Sequence, residues 1–262
     1  MRTNRLKATL KAGGIGLGTI VWDTRGRGVM HTLAAVGMDF AWICTEHSAF
    51  NLETVVDLVA HAHAAGITPI VRIADLQYEH VTRLLDSGCQ SLIVPHIRSG
   101  GEVRRFIELA KYYPQGRRGM AIYASASTDY EEVDLPAAMA HANANTLLAV
   151  MIETREALEN ADQILIDGVD LAVVGHQDLT QSLGIPGQYA SPIFREAIEK
   201  VRALCAARGV ALTGVAAKPE DLKALVESGA RLILYGTDLI LMRREAERAA
   251  QALAPLRKRA AA

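Results

Sequence analysis

Five polar side chains stand at or within a few residues of the ends of short apolar runs, at places where a buried strand would end. Glu46 and His47 follow one run, while Arg72, Glu153 and Asp178 end three others. In an α/β barrel the carboxyl ends of all strands meet at one face, and the reacting groups lie there. We therefore predict that these side chains come together at one face of a barrel.

The two later carboxylates, Glu153 and Asp178, are the candidate metal ligands. Two acids on neighbouring strands would repel each other in a dry site, and a divalent cation removes that repulsion while gaining hard oxygen ligands. Two carboxylates also leave positions for water and for a bidentate 2-oxo acid, as a catalytic metal requires. The alternative is that each acid caps the helix that follows it.

Arg72 and His47 supply the remaining chemistry. A guanidinium at the end of a strand offers a rigid pair of donors to a carboxylate, a phosphate or a developing enolate. The alternative for Arg72 is a structural ion pair with Glu46 or Asp75. An imidazole titrates near neutrality, so His47 is the candidate for proton transfer.

Weaker candidates at the same face are His96, Asp238 and His176. His96 and Asp238 also follow apolar runs. His176 stands two residues before Asp178 and is either a second polar group of the site or a loop residue. A Schiff-base lysine is disfavoured, since Lys218 falls beyond the end of its strand.

Apolar, β-branched runs alternate with helical patterns along the whole chain. Near-continuous apolar strands separated by helices indicate a parallel sheet covered on both faces. Eight such units favour a closed (βα)₈ TIM barrel, in one domain spanning residues 1–262, over an open doubly wound sheet. The predicted strands are 15–21, 40–44, 68–72, 91–95, 146–152, 170–175, 210–214 and 231–235. The predicted helices are 31–36, 52–65, 78–87, 101–112, 155–165, 191–207, 219–228 and 239–254, after a short basic N-terminal helix.

Two intervals are longer than a simple repeat needs. One covers residues 114–146, and the other follows Asp178. Long loops at the carboxyl face of a barrel commonly hold substrate contacts, so we expect these intervals to lie near the site.

Composition narrows the classes of function. Half of the 262 residues are hydrophobic, enough for one large core, and the net charge is -1. Neither nucleic acid nor an anionic membrane is favoured by such a balance. No run of about 18 apolar residues is present to span a membrane. Three cysteines without metal-ligand spacing, and no signal-peptide core, fit a reduced cytoplasmic setting.

Over nearly its full length the chain resembles the HpcH/HpaI family of metal-dependent (class II) pyruvate aldolases. These enzymes act on 4-hydroxy-2-oxoheptanedioate and 2-keto-3-deoxy sugar acids. The motifs that carry the resemblance are Glu46-His47, Val71-Arg72, Val94-Pro95, Ile152-Glu-Thr-Arg-Glu-Ala157, Gly168-Val-Asp-Leu-Ala-Val-Val-Gly175 with Asp178-Leu179, and Gly236-Thr-Asp238.

The resemblance implies reversible aldol cleavage of a 4-hydroxy-2-oxo acid to pyruvate and an aldehyde, through a metal-bound enolate. It implies that Glu153 and Asp178 bind the cation (Mg, Mn or Co), that Arg72 steadies the enolate, and that His47 moves protons. Substrate contacts are expected at Arg72, Gly175, Gln177 and Asp178. The family is typically a hexamer with swapped C-terminal helices, which the helix predicted at 239–254 would permit.

The chain departs from the family pattern at three motifs. The usual Asp-x-Glu-His is Cys44-Thr-Glu-His47, so the carboxylate partner of the histidine is missing. Gln-x-Glu is Met151-Ile-Glu153, and Gly-Pro-Ala-Asp is Gly175-His-Gln-Asp178. We expect Cys44, Glu46, Met151 and His176 to modify the acid–base apparatus and the acceptor side.

These departures leave three alternatives open. One is oxaloacetate decarboxylation. Another is a CoA-ester lyase of the malyl or citramalyl type, for which Arg117-Arg118 is the local candidate for the CoA phosphates. The third is a 2-oxo acid binding protein that has lost turnover.

Overall fold

The computed structural model describes residues 1–123 and 125–260, with side chains described as far as residue 257. Eight parallel strands close into a barrel in the order of the chain, with the last strand paired to the first. The prediction of a (βα)₈ barrel is therefore confirmed. The strands are β1 (Gly16–Val21), β2 (Phe40–Cys44), β3 (Thr68–Arg72), β4 (Ser91–Val94), β5 (Leu147–Ile152), β6 (Leu171–Val174), β7 (Ala211–Ala216) and β8 (Leu232–Thr237).

The helices lie between the strands, with one before the first and one after the last. They are α1 (Arg5–Lys11), α2 (Arg27–Ala35), α3 (Leu52–Ala65), α4 (Tyr78–Asp86), α5 (Gly100–Ala110), α6 (Leu135–Asn145), α7 (Arg155–Glu159), α8 (Ala161–Ile164), α9 (His176–Ser182), α10 (Pro192–Arg208), α11 (Asp221–Glu227) and α12 (Asp238–Ala260). The helix predicted at 155–165 is in fact two, α7 and α8, which meet at Asn160. In the part of the chain described, no helix is both long and apolar enough to cross a membrane.

Alternation along the strands divides the core into two layers. In β2, Phe40, Trp42 and Cys44 point into the barrel, while Ala41 and Ile43 pack under the surrounding helices. All five residues are buried. Because successive side chains of a strand point to opposite faces, this register leaves the last inward position of β2 to Cys44.

Register places Arg72 beside Cys44 at the carboxyl end of the barrel. Cys44 pairs with Arg72 across β2 and β3, and Arg72 in turn pairs with Ile93 of β4. Thr45 Oγ1 donates a hydrogen bond to the Arg72 carbonyl at 2.8 Å. The two neighbouring strand ends are thus locked to each other where the site begins.

Helix α1 covers the opposite, amino-terminal end of the barrel. Its Leu6 and Leu10 pack with the inner-layer side chains. Asn4 caps the helix by accepting from the Lys7 N–H, and its side-chain amide donates to Ser91 Oγ at 2.9 Å. The barrel interior is therefore closed at its amino-terminal end.

The expectation that residues 114–146 lie near the site is wrong. This interval connects α5 to β5, and in a (βα)₈ barrel such connections lie at the amino-terminal face. It also contains a helix, α6, where a loop is predicted. Its contacts agree with this placement, because Asn145 accepts from the Asn4 N–H and Asp129 pairs with Arg2.

Lys111, at the same amino-terminal face, is buried and donates from Nζ to the carbonyls of Asn143 and Thr146, at 2.6 and 2.8 Å. Burial, reinforced by the charge of Lys7, lowers its pKa to about 7. The folded pKa lies below that of the unfolded chain. The unfolded chain therefore binds more protons above pH 7, and folding stability contributed at this site rises with pH.

We expect the unfolding free energy of the parent, relative to Lys111→Met, to rise between pH 7 and pH 9. The rise is at most about 1.4 kcal/mol for each pH unit. Urea unfolding at pH 7, 8 and 9 measures it. Lys223→Met, at an exposed position, is the control and should show no such trend. A parent and a Lys111→Met variant with parallel pH profiles would contradict the assignment.

Candidate active site

Arg72 lies inside the carboxyl end of the barrel, with only 6% of its surface exposed. Its Nη1 is 3.0 Å from Glu46 Oε2, and its Nη2 donates to Cys44 Sγ at 2.9 Å. The guanidinium also stands 5.6 Å from the Trp42 ring and 3.8 Å from Met151 Sδ. Of the two partners considered for an ion pair, Glu46 is the one found.

Cys44 supports Arg72 from the neighbouring strand. Besides the Arg72 contact, its sulfur accepts from the backbone N–H of His47 at 3.4 Å. A thiol carries no charge to match the guanidinium, so Glu46 supplies the closest negative charge to Arg72. Cys44, which differs from the family pattern, thus contacts both the Arg72 guanidinium and the His47 backbone.

His96 is the histidine most closely engaged with the carboxylates of the site. Its Nε2 lies 2.8 Å from Glu46 Oε1, and its Nδ1 lies 3.3 Å from Glu153 Oε1. Its backbone N–H donates to the same Glu153 oxygen at 2.5 Å. In the sequence, only the position of His96 after the Val94-Pro95 strand end points to it, which is a weak signal.

Glu153 is almost completely buried, with 1% of its surface exposed. Burial raises the pKa of its carboxyl group, and the charges of Glu46 and Asp178 raise it further, against the opposing effect of His96. The helix-capping alternative for Glu153 does not hold, since Thr154 caps α7 by accepting from the Ala157 N–H. Glu153 is therefore a buried acid that does not cap a helix.

Asp178 and Gln177 lie on α9, a short helix that begins at the strand end of β6. Asp178 is partly buried in the first turn of α9. It lies close enough to Glu153 for its negative charge to raise the pKa of that carboxyl group. Gln177 is exposed. Gly175, the residue before α9, lies against Glu153, because a Cβ added to it would stand 2.6 Å from Glu153 Oε2. Helix α9 stands where the sequence predicts a loop.

Three other candidates lie outside this cluster or at its edge. His47 is at the rim, half-exposed, with Nε2 3.7 Å from Glu46 Oε1. The His176 ring packs edge-on against Phe194 at 5.3 Å, and burial lowers its pKa. Asp238 accepts backbone N–H groups of Trp22, Asp23 and Thr24. Burial alone would raise the pKa of Asp238, but these hydrogen bonds outweigh it and lower the pKa.

The donor set fits a divalent cation bound in part by water and substrate. Within residues 1–123 and 125–260, no three His, Cys, Asp or Glu side chains form a ready metal cage. However, the carboxylates of Glu46, Glu153 and Asp178 share a site with Arg72. One guanidinium offsets one of these charges when all three are ionised, and a divalent cation would balance the other two.

We expect Gly175→Ala to disturb this carboxylate arrangement. The new methyl group would overlap Glu153 Oε2, so the carboxylate must shift, while the backbone at Gly175 is not in the left-handed region. Divalent-ion affinity should fall about tenfold, as when a supporting contact of a metal ligand is lost. Isothermal titration with Mn²⁺ measures it. Gly28→Ala, where an added Cβ meets nothing within 4 Å, is the control. Unchanged affinity in Gly175→Ala would contradict the expectation.

Fold and site together define a class, the barrel enzymes that gather acids and an arginine at the carboxyl ends of their strands. Comparison with known proteins narrows this class. Residues 26–244 match the family described as HpcH/HpaI aldolase/citrate lyase. A 4-hydroxy-2-oxo-heptane-1,7-dioate aldolase of Escherichia coli is 31% identical over 245 residues, which cover 93% of this chain and 92% of that relative.

Solved structures agree with this match. The HpcH/HpaI aldolase from Desulfitobacterium hafniense DCB-2 superposes with a TM-score of 0.90 at 30% identity, covering 95% of this chain and 96% of that one. Citrate synthase SbnG gives a TM-score of 0.86 at 30% identity, covering 97% and 98%. The chain belongs to the HpcH/HpaI aldolase/citrate lyase family. It is a carbon–carbon lyase of the aldehyde-lyase type that acts on small molecules.

Proposed function

We propose that this lyase cleaves a 4-hydroxy-2-oxo acid to pyruvate and an aldehyde, and that it requires a divalent cation. The observation that carries the proposal is the buried Arg72 guanidinium paired with Glu46. The His96 ring contacts Glu46 on one side and Glu153 on the other, so the three charged groups lie together. Such an arrangement offers fixed positive charge to an anionic substrate and acidic ligands to a cation. The Escherichia coli relative is a 4-hydroxy-2-oxo-heptane-1,7-dioate aldolase, and its substrate class supports this proposal.

Glu153 and Asp178 would hold the cation, whose identity among Mg, Mn and Co stays open. When bound, the cation supplies a Lewis acid for the 2-oxo group. These acids are suited to binding a cation, because burial and the neighbouring carboxylates raise the pKa of Glu153. The ionised form of Glu153 is therefore unfavourable, and a bound positive ion would stabilise it. The short backbone contact from His96 fixes one Glu153 oxygen in place.

Arg72 is the residue that we assign to the developing negative charge. In cleavage the C4 hydroxyl loses its proton, the C3–C4 bond breaks, and its electron pair moves toward the C2 oxygen as the aldehyde leaves. A guanidinium held by Glu46, Cys44 and Trp42 cannot turn away from that charge, so its stabilisation is preorganised. Protonation at C3 then completes pyruvate.

His47 is the proposed carrier of these protons at the rim. Its half-exposed ring can exchange with solvent, and its backbone is anchored to Cys44. Gly175 and Gln177 border the place where the acceptor end of the substrate would lie. Met151, which contacts Arg72, puts a thioether where the family usually has an amide.

The CoA-ester alternative loses its main support. Arg118 is buried, pairs with Asp86 and lies over Tyr112 at the amino-terminal face of the barrel. It therefore cannot receive CoA phosphates at the site. Arg117 is exposed beside it, and its backbone N–H donates to the Glu108 carbonyl of α5. Membership of an aldolase family argues against a protein without turnover. Oxaloacetate decarboxylation would use the same Arg72 and the same carboxylates, and the experiment below separates it from aldol cleavage.

The test is solvent deuterium exchange into the pyruvate methyl group, followed by NMR with added Mn²⁺ removed before acquisition, and repeated with excess EDTA. Exchange that requires the cation, together with pyruvate release from a 4-hydroxy-2-oxo acid, is the expected result. Exchange undiminished by EDTA, with pyruvate trapped by borohydride, would overturn the metal requirement. Release of CO₂ from oxaloacetate without aldol cleavage would favour the decarboxylase.

We also propose that the chain acts as a single domain, in the cytoplasm, and as a homo-oligomer. The last helix, α12, carries exposed apolar side chains that a second copy of the chain could cover: Leu239, Ile240, Met242, Leu253 and Leu256. A hexamer is the assembly expected from the family. Light scattering after size exclusion measures the assembly, and a monomer at micromolar concentration would contradict this proposal.

A further inference from the structure

A cavity of about 380 Å³ opens at the amino-terminal face of the barrel. Leu147, Asp170 and Ala211, at the starts of β5, β6 and β7, line it together with residues of α1 and the end of α5. Pockets that bind small molecules measure roughly 300–1,000 Å³. The cavity is therefore large enough for a small ligand, and it lies at the opposite end of the barrel from Arg72.

The charged groups that line this cavity are unbalanced. Three of them are lysines, Lys7, Lys11 and Lys111, and Asp170 is the one carboxylate among the described lining residues. Asp170 is already engaged, because it accepts from Lys7 Nζ at 2.8 Å and from the Leu148 N–H at 2.9 Å. When all four groups are ionised, the lining carries two positive charges in excess.

Lys7 and Lys111 bring their ammonium groups to the same place. Both donate to the Thr146 carbonyl, Lys7 Nζ at 2.7 Å and Lys111 Nζ at 2.8 Å. Lys111 Nζ also donates to the Asn143 carbonyl at 2.6 Å. An ammonium has three N–H donors, so within the described residues Lys111 keeps one donor for a further acceptor.

The charge of Lys111 is unfavourable where it lies. Only 4% of the residue is exposed, and both of its acceptors are neutral carbonyls. Burial, followed by the charge of Lys7, lowers its pKa to about 7, against the opposing charge of Asp170. An anion in the cavity would be a counterion for Lys7 and Lys111 together, and it would favour the protonated form of Lys111.

We propose that this cavity, which we call the lysine cavity, binds a phosphate group through Lys7 and Lys111. A phosphate carries close to two negative charges near neutral pH, together with several acceptor oxygens, which matches the excess of positive charge. Lysine is a usual point-charge ligand for phosphate. The bound group would join α1 to the end of α5, on which Lys111 lies. This site is separate from the carboxylates and Arg72, so it does not depend on the proposed function.

Isothermal titration of the full chain with inorganic phosphate, in a buffer free of other polyvalent anions, tests the proposal. We expect one phosphate per chain, and an affinity at least about tenfold lower in Lys111→Met and in Lys7→Met, because each variant loses a hydrogen bond to a charged group. Lys200→Met is the matched control, since Lys200 Nζ also donates to a carbonyl, that of Leu158 at 2.7 Å, but at an exposed position of α10. It should bind phosphate as the parent does.

The thermal unfolding midpoint gives a second readout. A ligand that binds only the folded chain raises this midpoint, so phosphate should raise it in the parent and in Lys200→Met, and less in the two cavity variants. If Lys111→Met does not fold, Lys7→Met carries the test, because Lys7 is partly exposed on α1.

Glycerol phosphate separates the two sources of the phosphate group. Tighter binding than that of inorganic phosphate would assign the lysine cavity to a phosphorylated metabolite, whereas equal or weaker binding would assign it to free phosphate. Arg72 also attracts anions, but Lys7→Met and Lys111→Met leave it intact. Phosphate affinity unchanged in both variants, or no saturable binding to the parent at millimolar phosphate, would overturn the proposal and leave the proposed function standing.

Discussion

Replacing Glu153 by glutamine should lower kcat/KM for aldol cleavage by about 10²–10³, the usual cost of losing one charge-stabilising group. The amide keeps the size of the side chain and still accepts the His96 N–H, but it removes the charge that a cation needs. Steady-state pyruvate release and titration with Mn²⁺ measure the two effects. Glu156→Gln is the control, since Glu156 is exposed and reaches only Arg98, at 4.0 Å.

The same substitution should stabilise the metal-free protein. Burial raises the pKa of Glu153, so the folded chain binds its proton more tightly than the unfolded chain. The metal-free parent therefore loses stability as pH rises from the unfolded pKa through the raised folded value, and Glu153→Gln lacks that loss. Thermal unfolding at pH 5 and pH 8, with EDTA, measures the difference. Unchanged turnover with unchanged Mn²⁺ affinity would remove Glu153 from the site.

Arg72→Lys should reduce kcat/KM by a comparable factor, about 10²–10³. A lysine keeps the positive charge but cannot contact Glu46, Cys44 and the Trp42 face at once, because an ammonium is a compact point charge rather than a planar group. Most of the loss should appear in kcat, since the charge matters most when the enolate develops. Initial rates over a range of substrate concentrations separate kcat from KM.

A second buried arginine provides the control for Arg72. Arg118 is as buried as Arg72 and is also paired with an acid, Asp86, and with an aromatic ring, but at the other end of the barrel. Arg118→Lys should therefore reduce stability without changing kcat/KM. If both variants lose activity in proportion to their loss of stability, Arg72 is structural and its assignment to the enolate fails.

The strands could be predicted from the sequence because they are buried on both sides. Each of the eight predicted strands overlaps an observed one, and β2 matches residue for residue. Helices α6 and α9 were not predicted. The first lies among alanines and asparagines without an apolar stripe. The second has seven residues, too short for a periodic pattern to appear.

The residues of the site that end a strand could be predicted from the sequence. The contacts that side chains make across the barrel could not. Strand ends placed Arg72, Glu46 and Glu153 correctly at one face. By contrast, the role of His96 depends on a left-handed backbone and on two acids 50 and 57 residues away in sequence. His176 looked equally suitable by position, yet α10 and Tyr189 enclose its ring. The spacing of residues along the sequence does not predict such side-chain contacts.

Closure of the barrel between β1 and β8 also has a consequence for how the chain reaches its native state. Gly16 pairs with Leu232, so one edge of the first strand has no neighbour until the last strand exists. Contacts of such high sequence separation carry a large loop-closure entropy and slow folding. On the ribosome, a nascent chain with seven strands still exposes two open edges that can pair with other chains. Cooperative completion of the fold, and with it the assembly of Arg72 and its acids, therefore waits for the final residues of the barrel.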